Sequence, residues 1–262
     1  IVSDRGTYAF ITLIGSLNTF LINKKELSRS SPPKERFESL EKYLDAVLQK
    51  ISTLTKENED KYLSLLGAGA DVKWLRFFQS IVNDKYSDYN PEDLIDWKER
   101  QDGELQDSGR RFGEAIETHM KHVILDTLKL SYGEDWEVEI ASIKRECVKR
   151  ASEEQEKNYK DGLGNEEIEW TTKFTIMDYK KIIEQHWSKP RREEGDAFKY
   201  FQEVFAIDVG LGFNSKAEKI KWIAQFNKYR NLWAHKGTKE KGLNKDEVEF
   251  LKKVYDFFEL NG

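Results

Sequence analysis

The chain has 262 residues, a net charge of −5 and a hydrophobic share of 38%, with Phe, Trp and Tyr at 13%. That length admits one large domain or two small ones, and aromatic side chains bury enough area each to build a core. The single Cys147 excludes an intrachain disulfide and a cysteine-based zinc cluster and fits a reducing, cytoplasmic setting, while no apolar run reaches the roughly 18 residues of a membrane span.

Charged residues at 35% and only 4 Pro predict a helix-rich chain with long solvated faces, and the helices read along it make the expected fold class all-α. Ser3-Asp4 predicts the start of a helix over 6–23 that is apolar nearly all round and is expected to be buried. Pro32-Pro33 open a second helix, in which Phe37, Leu40, Tyr43, Leu44, Val47, Leu48 and Ile51 keep a period near 3.6. Tyr62 to Leu66 form a short helix ending at Gly67. Gly67-Ala68-Gly69-Ala70 lacks the preceding strand and the following Gly-Lys-Ser of a phosphate loop. Asp71 is expected to cap a helix carrying Trp74, Leu75, Phe78, Ile81 and Val82, and Pro91 to Trp97 form another short one.

Asp102-Gly103 marks the expected boundary between an N-terminal helical subdomain, 1–102, and a second helical bundle, 103–262. A long helix over 104–130 buries Phe112, Ile116, Met120, Val123, Ile124 and Leu128. Trp136 opens the next helix, which turns very polar after Glu153. An insertion is expected around 157–176, with an extended stretch from Glu167 to Ile176. Helices then follow over 178–187 and around Phe198 to Phe205.

Ser215-x-x-Glu218 is a capping box that predicts one helix running onward to Gly237, a natural residue to end it. Trp222, Phe226, Tyr229 and Trp233 form its core stripe. At about 100° per residue, Arg230 and His235 straddle one polar face away from that stripe, with Asn227 and Asn231 between them. Asn231 and His235 are four residues apart, so the amide can orient the imidazole. From Ser215 to Lys245 there are nine basic residues against Glu218 and Glu240, a basic island in an acidic protein. Such an island suits a phosphate backbone. Asn244-x-x-Glu247 caps the last helix.

The sequence Arg230-Asn231-Leu232-Trp233-Ala234-His235 resembles the R-x4–6-H signature of the HEPN superfamily, including the polar residue after the Arg. The segment Leu130-Ser131-Tyr132-Gly133-Glu134-Asp135-Trp136 adds to the likeness. The resemblance spans about 104 to the end and implies a HEPN-like helical bundle. It also implies a homodimer with the motif helices at its interface and metal-independent RNase activity without cofactor. The opening Val2-Ser3-Asp4-Arg5-Gly6-Thr7 resembles the end of DGQHR-type domains of bacterial DNA-modification and defence proteins. That likeness would make the chain the C-terminal half of such a protein.

RNA carries its own nucleophile, the 2′-OH, and its attack needs an acid or base titrating near neutrality and positive charge on the phosphate. On this reading Arg230, Asn231 and His235 are catalytic, and Asn227, Lys228, Lys236, Lys239 and Lys241 bind RNA. The N-terminal helices would dock a protein partner. The alternative is a non-catalytic HEPN-like dimerisation or nucleic-acid-binding module. His119 and His122, with Glu114, Glu117 and Asp126 nearby, are weighed as a metal site and set aside, because partly buried or solvated histidines are commoner.

Overall fold

A computed structural model describes residues 4–54, 69–187, 197–234 and 242–258, without the side chains of Arg5, Lys216 and 197–199. The expected helix at Tyr62 to Leu66 lies outside these residues. So do His235, Lys236, Gly237, Lys239 and Lys241. The described residues are helical with no strand among them, and the chain divides into two compact units, 1–101 and 102–262. No described helix is long and apolar enough to cross a membrane.

In the first unit, α1 (Asp4–Asn23), α2 (Pro33–Ser52) and α3 (Ala70–Lys85) pack together, and α4 (Leu94–Gln101) packs on α3. Proline at the first turn of α2 costs nothing, since that N–H has no helical partner. The core joins Leu13, Leu17 and Leu21 of α1 to Tyr43 and Val47 of α2 and Trp74, Phe78 and Val82 of α3. The expectation of a fully buried α1 fails. Tyr8 and Ile11 are each 62% exposed among the described residues, because α2 and α3 cover only one side of the helix. The start of α3 also differs. Gly69 precedes it in the left-handed region at φ +83° with no side-chain cap, and Asp71 sits inside the first turn. The segment from Pro91 turns first, with Asp93 at φ +61°, and becomes helical only at Leu94.

The second unit is built along α5 (Gly103–Tyr132), whose first turn is capped by the Asp102 side chain accepting from the Leu105 N–H at 3.1 Å. The short α6 (Trp136–Glu139) and α7 (Ala141–Lys160) follow, separated by a break at Ile140 that a single helix from Trp136 did not foresee. No extended stretch forms over 167–176. Trp170–Lys173 is a 3-10 turn, with Trp170 stacked on Trp136 at 5.7 Å. Then come α8 (Ile176–Trp187), α9 (Ala197–Phe205), α10 (Lys216–Lys219), α11 (Lys221–Ala234) and α12 (Lys245–Phe257). The core gathers Ile116, Met120, Ile124 and Leu128 of α5, Ile182 and Ile183 of α8, Trp222 and Phe226 of α11, and Leu251 and Val254 of α12.

The capping boxes at Ser215/Glu218 and Asn244/Glu247 both form. The first does not open one long helix, however. The carbonyl of Lys219 accepts from the Ile207 N–H at 3.2 Å, and the Ile223 N–H bonds to Ile220 instead. That diversion separates α10 from α11 and frees α11 to lie along α5 and α8.

Candidate functional site

Two glycines set how closely α5 is approached. A Cβ on Gly113 would stand 2.3 Å from Cζ2 of Trp233, and one on Gly109 would stand 2.4 Å from Cδ1 of Leu243. Gly109 and Gly113 are one turn apart and share a face. The indole of Trp233 and the segment entering α12 therefore rest almost on the α5 backbone.

From that contact the two helices diverge in opposite chain directions. One turn onward in α5 lies Glu117, and one turn back in α11 lies Arg230. Their side chains meet. Nε of Arg230 donates to Oε2 of Glu117 at 3.2 Å, and Nη2 donates to Oε1 at 3.4 Å. The contact is bidentate and side-on, and longer than the roughly 2.7–2.9 Å of a tight charge-assisted bond. Both side chains remain about one-third exposed, at 33% for Arg230 and 31% for Glu117. Tyr179 of α8 is buried. Burial holds its hydroxyl well above the ordinary phenol range, and the Glu117 carboxylate adds to that effect. The negative charge therefore sits close to the junction of three helices.

Asn231 and Lys228 face solvent, and Asn227 is half-buried like Arg230. The Lys228 ammonium lies 5.9 Å from the Tyr229 ring centre. Of the expected core stripe, Trp222 and Phe226 are fully buried, while Tyr229 and Trp233 are only partly so. Ile223, absent from the stripe, is fully buried as well. The buried side of α11 is thus turned toward Ile223, which brings the Arg230 edge onto α5. Of the proposed catalytic set, the structure describes Arg230 and Asn231. His235 and Lys236, Lys239 and Lys241 fall outside the described residues.

Glu117 is the residue that sequence reasoning missed in this role. It was grouped with His119 and His122. At about 100° per residue, though, it stands roughly 140–160° round α5 from both. No local signal could find the pairing, since 113 residues separate Glu117 from Arg230. His119 packs on Phe258 in a tilted contact at 4.6 Å, and burial, with the neighbouring His122, lowers its pKa. Among the described residues no three His, Cys, Asp or Glu side chains converge to hold a metal. His186 is fully buried in the core, with Nδ1 2.9 Å from the Ile182 carbonyl and Nε2 4.0 Å from Glu139. It packs between Tyr132 and Phe201.

Chemically, the α5/α11 edge presents a guanidinium held by one carboxylate, with an amide and an ammonium on the same helix. Such a set can bind and polarise an oxyanion. No family model, curated protein or solved structure matches the chain.

Proposed function

We propose that residues 103–262 are a HEPN-type domain that cleaves RNA without a metal, in a defence or toxin-like protein of the DGQHR kind. The observation that supports this most is the setting of Arg230. It is one-third exposed, oriented by Glu117, beside solvent-facing Asn231, and five residues before His235 in sequence.

In this reading the 2′-OH of the substrate attacks its own phosphate. His235 moves the proton, Arg230 offsets the charge that develops on the phosphate oxygens, and Asn231 orients the imidazole or the phosphate. Asn227, Lys228, Lys236, Lys239 and Lys241 hold the RNA backbone. Two copies of α11 meet in a homodimer and pool their single Arg and single His. The first unit docks a protein partner.

One observation favours a second reading. The Arg230–Glu117 pair already satisfies part of the guanidinium within the fold, as suits a non-catalytic dimerisation or nucleic-acid-binding module. Incubating the protein with mixed RNA in EDTA separates the two. The enzyme leaves 2′,3′-cyclic phosphate and 5′-OH ends and spares DNA of the same sequence. Intact RNA with a shift in mobility supports the binding module, and cleavage that EDTA abolishes overturns the metal-independent chemistry.

A further inference from the structure

We propose that Glu117 is an internal competitor for the anion site of Arg230, a carboxylate that a phosphodiester must displace to take the side-on Nε–Nη2 edge of the guanidinium. The proposal rests on the reading of Arg230 as a phosphate-binding residue and deepens it.

The geometry carries the argument. Glu117 takes the Nε–Nη2 edge of Arg230 with both of its oxygens. That fork is one a phosphate uses for two parallel hydrogen bonds. A carboxylate there is a phosphate mimic in charge and in spacing. Among the described residues no other acceptor bonds this guanidinium. Occupancy of the edge by Glu117 and by phosphate is therefore mutually exclusive.

The pair is built to hold and to yield. Its bonds are long at 3.2 and 3.4 Å, and both side chains are one-third exposed. Exposed ion pairs of this kind contribute little, so a polyanion can outbid the carboxylate where a single weak anion cannot. The helices themselves cannot part to release it. One turn away, Trp233 lies against the Gly113 backbone, packed on the core of the unit. Exchange is a rotation of the Glu117 and Arg230 side chains alone. A structural ion pair in the same place would make the opposite prediction, since losing it would disorder Arg230 and weaken anion binding.

The test is binding, not cleavage. The probe is a fluorescein-labelled single-stranded RNA with every 2′-OH methylated, so that it cannot be cut. Kd is measured by anisotropy at one fixed salt concentration for the full chain, Glu117→Gln, Glu117→Asp, Arg230→Ala and the Glu117→Gln/Arg230→Ala double variant. Glu117→Gln keeps the shape and drops the charge, and should tighten binding by about two- to fivefold, the range an exposed ion pair represents. Glu117→Asp retracts the carboxylate and should move Kd the same way by less. It decides the matter if the Gln variant fails to fold. Arg230→Ala should weaken binding, and on that background Glu117→Gln should gain less than about 1.5-fold, because the competitor then has nothing to compete for. If Arg230→Ala weakens binding but Glu117→Gln does not tighten it, or tightens it equally without Arg230, the competitor role is overturned and the RNA reading stands. If Arg230→Ala leaves Kd unchanged, both are overturned.

Discussion

The indole of Trp233 lies so close to Gly113 that a single added methyl would come 2.3 Å from its ring. Gly113 is therefore a condition of the crossing that brings Arg230 to Glu117.

Gly113→Ala should destabilise the second unit by about 1–3 kcal/mol, the usual cost of overpacking, despite the better helix propensity of Ala. The control is Gly15→Ala in α1, where a Cβ meets nothing within 4 Å. That change should stabilise by about 0.5–1 kcal/mol. Denaturant melts of both variants check the pair. A neutral Gly113→Ala would mean that Trp233 swings away freely.

Packing and chemistry should separate along α11. Arg230→Ala removes a partly exposed ion pair and should cost under about 1 kcal/mol of stability. Trp222→Ala empties a fully buried site and removes the 3.1 Å bond from its indole N–H to the Phe205 carbonyl, for about 3–5 kcal/mol. RNA cleavage by Arg230→Ala and His235→Ala should fall by on the order of 10²-fold or more. Thermal melts alongside cleavage rates read both. Lost activity that tracks lost stability across the set would sink the separation.

Asp178 is nearly fully buried and accepts from the Thr175 N–H at 2.9 Å and the Thr175 hydroxyl at 2.8 Å, with the Arg150 guanidinium as its ion partner. Burial pushes its carboxyl up, but those bonds outweigh burial and hold it below the usual carboxylate range. A depressed folded-state pKa means the stabilisation is complete above the unfolded value, about 4, and disappears as pH falls through the folded one. Asp178→Asn should cost about 2–3 kcal/mol at neutral pH. Its deficit against the wild type should narrow as melts are taken below about pH 4. A deficit that stays constant down to pH 2 would show that the charge is not the source.

Cys147 is fully buried, and its thiol is pushed up to about 11, first by burial and then by the nearby Asp178 charge. The thiolate is the reactive form, so the folded protein should resist a thiol-specific disulfide reagent at pH 8. Modification should proceed at the rate of unfolding and become immediate in denaturant. Stoichiometric reaction of the native protein within minutes would contradict this burial.

Much of the architecture is local and was legible. The all-α class, the capping boxes at Ser215 and Asn244, the proline start of α2 and the bounds of α5 to within two residues follow from periodicity and from which backbone groups lack partners. The exposure of Asn231 and Lys228 and the burial of Trp222 and Phe226 follow from helical geometry alone. What the sequence did not determine depends on groups far apart in the chain. The break between α10 and α11 exists because Ile207 takes a carbonyl the helix would have used. The short 3-10 turn at Trp170 replaces an extended stretch where its indole meets Trp136 across more than thirty residues. The exposure of Tyr8 and Ile11 depends on which side of α1 its neighbours cover. Above all, helical periodicity put Arg230 on the polar face of its helix, but only the close contact of Trp233 with Gly113 decided that Glu117 would be waiting there. Helical periodicity fixes the direction of a side chain from its own axis, whereas its partner is set by how two axes cross, and that is a property of the packed core.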